Sequence, residues 1–113
     1  QHCKIMIRVV FYRDSDGKYL GFQAKGHAGY AEAGSDIVCA AVSALVTNTV
    51  NSIELLTENS VRVRTEERGG LMAAKLGEAA TPEAQLLLRS LYTGLRSIEK
   101  EHRKYIQVVS KEV

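Results

Sequence analysis

The spacing of apolar residues constrains the fold of this chain more than any other feature, because it changes twice from a two-residue period to helical spacing. Two strand-like stretches precede each helical stretch, and one more follows the second helical stretch. The strand-like stretches cover residues 5–13, 18–26, 61–66, 71–76 and 105–109, and the helical ones run from Asp36 to about Thr57 and from Pro82 to about Arg103. The predicted order of elements is therefore ββαββαβ.

Local signals mark the ends of these elements. The sequence DSDG at 14–17 predicts the turn of a first hairpin, and ERGG at 67–70 predicts a second one. Thr81 is the predicted N-cap of the second helix, Pro82 suits its first position, and Glu83 faces the positive end of the helix dipole. We therefore predict an α+β, two-layer single domain with a mixed or antiparallel sheet and both helices on one face.

The periodicity also predicts which side chains each face carries. Leu20, Phe22 and Ala24 share one sheet face, and the other face is a mixed surface that a dimer would partly cover. That other face is predicted to carry Arg8, Val10, Tyr12, Tyr19 and Gln23. The predicted buried stripes are Val38, Ala41, Val42, Leu45, Thr49, Ile53 and Leu56 in the first helix, and Ala84, Leu87, Leu88, Leu91, Leu95 and Ile98 in the second.

Length and composition narrow the class of protein. A chain of 113 residues that is 45% hydrophobic suits one compact domain. We assign that domain to residues 6–113 and interpret residues 1–5 as an N-terminal remnant, because MIRVVFYR is a natural beginning for a first strand. The net charge of +2, without a block of like charges, predicts no nucleic-acid partner. Apolar runs interrupted before about 18 residues predict no membrane span, and hence a cytoplasmic protein.

Cys39 and His27 are the candidates for nucleophilic chemistry. If Ser35 or Asp36 caps the first helix, Cys39 is the third or fourth helical residue, where the helix dipole and unpaired N–H groups would stabilise a thiolate and an oxyanion. His27 ends the second strand, and the loop at 28–35 is long enough to return the chain to within side-chain reach.

Structural interpretations of the same residues remain open at this point. Cys39 beside two alanines also suits a small core residue, and Asp36 suits a first-turn carboxylate as well as a group that orients His27. The hydroxyl of Ser43 either lies near the site or bonds to its own helix. These side chains lack a recognised metal-ligand spacing, so we predict no metal. Candidate substrate-binding residues, on or beside a gating loop at 28–35, are Gly26, Tyr30, Gly34, Ser35 and Ser43.

Two motifs resemble a known family. The strings GHA at 26–28 and GSDIVCAAVS at 34–43, in a chain of order ββαββαβ, resemble the ribosomal-processing cysteine protease family, Prp. The resemblance extends from Met6 to Val109 and implies a homodimeric bacterial cytoplasmic endopeptidase without a cofactor. Its implied substrate is N-terminally extended large-subunit ribosomal protein twenty-seven. By position it also implies three site residues, with Cys39 as nucleophile, His27 as its base and Asp36 in a supporting role.

Two functions follow from these observations. In the first, His27 takes the proton of Cys39, and the thiolate attacks a peptide carbonyl in an acyl transfer. In the second, the chain is a non-catalytic ribosome- or translation-associated module whose loop only docks a peptide. Loss of the cellular role in Cys39→Ser distinguishes the first from the second.

Overall fold

The structure, a computed structural model, describes residues 7–26, 33–66, 71–77 and 80–113, with backbone alone at 33–36, 66 and 71. The elements are β1 (Ile7–Arg13), β2 (Tyr19–Lys25), α1 (Ala33–Leu56), β3 (Val61–Glu66), β4 (Leu71–Leu76), α2 (Pro82–Glu101) and β5 (Ile106–Glu112). The five strands form one sheet in the order β3-β4-β2-β1-β5. The neighbours β1 and β5 are parallel and the other pairs antiparallel, which confirms the predicted two-layer fold with a mixed sheet.

The first hairpin contains the predicted turn and an irregularity that the alternation does not show. The carboxylate of Asp14 accepts hydrogen bonds from the amides of Asp16 and Lys18 at 2.9 and 3.0 Å, and Gly17 has a φ of 85°. Beyond the turn, Tyr12 pairs with Gly21 whereas Arg13 pairs with Tyr19, so Leu20 is the extra residue of a β-bulge.

The bulge reverses two predicted side-chain directions. Tyr19 packs on the helix side, with its ring centroid 5.4 Å from that of Phe11 and 5.9 Å from that of Tyr92. Leu20 lies on the other face, where it lines a concavity with Tyr12. The predictions that Tyr19 faces away from the helices and that Leu20 lies beside the core residues of β2 are therefore wrong, because the bulge shifts the alternation by one residue.

Helix α2 follows its sequence signals closely. Thr81 is the N-cap, with its hydroxyl accepting from the amide of Ala84 at 3.1 Å, and Pro82 is the first helical residue. The helix ends at Glu101, two residues before the predicted end. Its buried face consists of Ala84, Leu88, Leu91 and Leu95, with Leu87 and Ile98 partly buried beside it.

Helix α1 departs further from its prediction. It begins at Ala33, three residues before the predicted start at Asp36, so the end of the predicted loop at 28–35 is helical. Its buried face consists of Val38, Val42, Val46, Thr49, Val50 and Ile53. Leu56, which ends the helix, is 73% exposed rather than buried, and the buried residue after the helix is the polar Asn59.

The expectation that no apolar run of the chain is long enough to span a membrane is wrong for α1. The 20 residues Ile37–Leu56 are long and apolar enough, by length and composition, to cross a membrane. This run is longer than the about 18 residues that a membrane span needs. In the fold the same run packs one face against the sheet, as the core helix of a two-layer domain does.

Candidate active site

The candidate site residues differ in how the structure describes them. Cys39, Gly26 and Ser43 are described with their surroundings, and Gly34, Ser35 and Asp36 are described as helical backbone. His27 and Tyr30 lie outside the described residues, as does the loop between them. The predicted contact between His27 and Cys39 thus stays a prediction, and the described part of the site consists of residues on either side of the segment 27–32.

Gly26 holds the chain immediately before His27 in close contact with β1. A Cβ atom at Gly26 would lie 2.8 Å from both Cα and Cγ1 of Ile7, distances at which no side chain fits. The amide of Ile7 in turn donates to the carbonyl of Tyr105 at 2.8 Å. A glycine is needed here for backbone approach, whereas the sequence indicated Gly26 only as a candidate substrate-binding residue. Gly26 therefore fixes the position of the chain directly after the end of β2.

The first turns of α1 lie at this same end of the molecule. Ile37 and Val38 line a concavity of about 170 Å³ together with Ile98 and His102 from the end of α2. The carbonyl of His102 accepts from the amide of Tyr105 at 2.8 Å, and Tyr105 bonds to the beginning of β1. The start of α1, the end of α2 and the beginnings of β1 and β5 therefore meet where β2 ends.

A count along α1 and β2 indicates which end of the sheet Cys39 lies near. Val50 packs with Gly21 and Phe22 around a small void near the beginning of β2. Counting back from Val50 to Cys39 at 1.5 Å per residue gives about 17 Å along α1. Counting forward from Gly21 to Gly26 at 3.3 Å per residue also gives about 17 Å along β2. The fold thus brings the nucleophile candidate to the end of the strand that precedes His27.

The burial of Cys39 suits a residue at the boundary between core and solvent. Val38 and Val42 are buried, Ala40 is exposed, and Cys39 is half-buried against the core cluster. Ser43, one turn further along α1, is exposed. A fully buried thiol would suit only a packing role, whereas a half-buried one is also open to a substrate.

The position of Cys39 within α1 corrects one part of the sequence prediction. Because α1 begins at Ala33, Cys39 is its seventh residue rather than its third or fourth. The N–H groups that lack intrahelical partners belong to the first four residues, and the field of the helix dipole falls off within the first turn. The start of α1 is therefore a weaker source of thiolate and oxyanion stabilisation than the sequence suggested.

One feature near the site carried no sequence signal. The concavity between α1 and α2 includes His102, which ends α2 with φ −135° and donates its amide to the carbonyls of Ile98 and Glu99. Sequence inspection gave His102 no role, because a histidine after a helix is an ordinary C-terminal residue. Its proximity to the beginning of α1 depends on the antiparallel packing of the two helices.

Comparisons with known proteins identify the family of the chain. The profile of the family described as "Cysteine protease Prp" matches residues 6–107. The ribosomal processing cysteine protease Prp of Bacillus subtilis (strain 168) is 33% identical over 109 residues, which cover 93% of this chain and 97% of that protein.

Solved structures agree in fold over nearly the whole chain. The essential ribosomal processing protease Prp from S. aureus, in complex with a covalently linked product peptide, superposes with a TM-score of 0.85 at 33% identity. The same protease in complex with a substrate peptide gives a TM-score of 0.88 at 32% identity. Each comparison covers 94% of this chain and 100% of the S. aureus chain.

Proposed function

The chain belongs to the Prp family of cysteine proteases, and on that premise we propose that it removes a short N-terminal extension from large-subunit ribosomal protein twenty-seven. The observation that carries this proposal is the identity of 33% with ribosomal processing proteases along almost the whole chain. The fold supports it because the first turns of α1, the helix that carries Cys39, lie at the end of the domain where β2 ends, just before His27 in the chain.

The proposed reaction is an acyl transfer in two steps. His27 accepts the proton of the Cys39 thiol, and the sulfur attacks the carbonyl carbon of the scissile peptide bond. The C–N bond breaks as His27 returns the proton to the leaving amine, which leaves a thioester on Cys39. A water molecule then attacks the thioester with His27 as base, which releases the carboxylate and restores the thiol.

The supporting residues take their roles from their positions in α1 and in the loop before it. Asp36 stands three residues before Cys39, a spacing that makes two positions neighbours on a helix surface, and we assign it the orientation of His27. Tyr30, Gly34, Ser35 and Ser43 are the proposed contacts of the substrate segment, and Gly26 sets the exit of the chain from β2. The segment 28–35, predicted as a loop and helical from Ala33, is the proposed gate.

The proposal also covers the cofactor requirement, the oligomeric state and the compartment of the enzyme. The enzyme works without a cofactor, as a homodimer in the bacterial cytoplasm, on an extended segment of a newly made ribosomal protein. Cysteine acyl transfer needs only the thiol, a base and hydrogen-bond donors for the oxyanion, so the residues of the chain suffice.

Incubation of the purified protein with N-terminally extended ribosomal protein twenty-seven, followed by intact-mass measurement, tests the proposal. We expect a single truncated product, which Cys39→Ser abolishes because the hydroxyl is a far weaker nucleophile. Thr47→Ala, at an exposed position of the same helix, is the matched control and should cleave like the wild type. Binding of the extended protein without truncation would instead support the non-catalytic module.

A further inference from the structure

The sheet has one face under the helices and one face without them. The odd-numbered residues of β1, Ile7, Val9 and Phe11, lie in the core, so its even-numbered residues point to the helix-free face. Residues opposite each other in neighbouring strands share a face, which extends this assignment across the sheet. The Lys and Arg residues assigned in this way to the helix-free face, here called the basic face, are Arg8, Lys25, Arg62, Arg64, Lys75 and Lys111.

The strand order places these cations next to one another. In the order β3, β4, β2, β1 and β5, one row across the sheet consists of Arg62, Lys75, Gly21, Tyr12 and Lys111. Neighbouring strands are about 4.8 Å apart and alternate residues of one strand about 7 Å apart. Arg62 therefore has two cationic neighbours, Lys75 across the pair and Arg64 along the strand. Like charges at these spacings repel, and a polyanion would relieve the repulsion.

Carboxylates do not balance this charge in the part of the chain that the structure describes. None of the described side chains on the basic face is Asp or Glu, and Glu66 at the end of β3 is the one acidic residue whose register position falls there. The ion pairs Arg13–Glu112 and Arg96–Glu99 involve other cations. All six cations of the basic face are exposed.

A concavity on this face joins the cations to an aromatic ring. Its volume is about 700 Å³, within the range of about 300–1,000 Å³ that small-molecule sites occupy. Its lining includes Arg62, Arg64, Lys75, Gln23 and Tyr12. The hydroxyl of Tyr12 donates to Oε1 of Gln23 at 3.2 Å, which holds the half-buried ring in place. A fixed aromatic ring among cations is the combination that binds bases and phosphates of a single strand.

We propose that the basic face binds single-stranded RNA, with Tyr12 stacking on a base and Arg62, Arg64 and Lys75 contacting phosphates. The choice of RNA over DNA rests on the proposed function, because the surroundings of a ribosomal protein include RNA. A second copy of the chain suits this face less well, since two like-charged faces would meet. The expectation of no nucleic-acid partner rests on the net charge of +2, an average that does not show how the charges are segregated.

Fluorescence anisotropy with a labelled 12-residue oligouridine tests the proposal, using Cys39→Ser protein at about 50 mM salt. Three phosphate contacts predict that log K falls with log salt at a slope of about −2. Changing Arg62, Arg64 and Lys75 together to Gln should weaken binding at least about tenfold and flatten the slope. Tyr12→Leu should weaken binding roughly tenfold and leave the slope unchanged, because stacking is uncharged.

The matched control is Arg89→Gln, Lys100→Gln and Arg103→Gln together, which removes the same charge from exposed positions at and just beyond α2. It should bind like the parent protein. The proposal is overturned by absence of binding, by an equal loss in both triple variants, or by tighter binding of oligodeoxythymidine. It is also overturned if sedimentation shows that the parent protein is a dimer that does not bind RNA and that the basic-face triple variant is a monomer.

Cleavage distinguishes a failure of this inference from a failure of the proposed function. In a background with Cys39 intact, the basic-face triple variant should truncate a short synthetic peptide of the extended N-terminus like the wild type. Truncation without RNA binding would leave the protease proposal standing and remove the RNA site, and the reverse result would remove the protease proposal alone.

Discussion

The reactivity of Cys39 depends on which groups reach its sulfur. As the seventh residue of α1, it lies beyond the first turn, where the helix dipole acts most strongly. An imidazolium within hydrogen-bond distance is the other common means of stabilising a thiolate. The proposed reaction therefore depends on His27 more heavily than the sequence suggested, and Cys39 without His27 should behave as an ordinary thiol.

Alkylation rates test this dependence directly. At about pH 6.5 an ordinary thiol is about 1% ionised, so we expect iodoacetamide to label Cys39 much faster than Cys3, as followed by peptide mass spectrometry. His27→Ala should reduce the rate at Cys39 to that of Cys3, and Asp36→Asn should reduce it less. A rate that survives His27→Ala would assign the activation to the start of α1 instead, and a wild-type rate at Cys39 no faster than that at Cys3 would count against the protease mechanism.

Single residues were predictable where their signal is local. Thr81 caps α2 and Gly17 takes a positive φ, because capping and turn formation depend on the residue and its immediate neighbours. The directions of Tyr19 and Leu20 were missed because strict alternation was assumed, although Gly21, directly after the extra residue Leu20, is the kind of isolated strand glycine that often accompanies a β-bulge. The start of α1 was missed because Ser35 and Asp36 are good caps, although the chain is already helical at Ala33.

At the scale of elements, the contact between β1 and the end of β2 positions the candidate site. Gly26 meets the backbone of Ile7, and Ile7 bonds to Tyr105 at the beginning of β5. The motif GHA was recognisable from the sequence, but this packing requires knowing that β5 runs parallel to β1. The strand bounds of the second hairpin, in contrast, followed from alternation alone.

Gly26→Ala should destabilise the protein and lower its activity. The new Cβ would lie 2.8 Å from the Cα of Ile7, a backbone atom that cannot rotate away, so we expect a loss of about 1–3 kcal/mol in the free energy of unfolding, measured in urea. Displacement of residue 27 should also slow cleavage by the molecules that remain folded.

Gly94→Ala is the matched control for this substitution. Its Cβ would lie 3.3 Å from Cδ1 of Leu45, the mobile end of a side chain, and Gly94 is in the interior of α2. Because alanine has a higher helix propensity than glycine, the substitution should leave the free energy of unfolding unchanged or raise it by up to about 1 kcal/mol. Equal stability of Gly26→Ala and the wild type would show that the contact with Ile7 does not constrain the end of β2.

At the scale of the whole molecule, the arrangement of charge follows from the sheet order. The alternation of Arg62 and Arg64 is visible in the sequence, and an exposed hairpin face is its simplest interpretation. That Lys75, Arg8 and Lys111 share this face becomes apparent only when the strands are ordered β3-β4-β2-β1-β5. Net charge and local pattern therefore miss a surface that the topology assembles from all five strands.

The stability of the whole molecule should respond to alkaline pH through Tyr19. Burial, followed by the nearby Tyr92, raises the pKa of Tyr19 above its usual value of 10.0, against smaller opposing effects of Arg13 and Arg89. The unfolded chain therefore loses this proton at a lower pH than the folded protein does. The stabilisation is complete below about pH 10 and is lost as the pH rises through the folded pKa.

Urea unfolding at a series of pH values between about 9 and 12 measures this loss. The free energy of unfolding should fall less steeply with pH in Tyr19→Phe than in the wild type, because that variant has no proton to release there. Thr47→Ala, which changes an exposed side chain that does not titrate, is the control and should keep the wild-type slope. Equal slopes in all three proteins would mean that Tyr19 ionises as readily in the folded state as in the unfolded chain, and that its packing against Phe11 and Tyr92 does not exclude water from the hydroxyl.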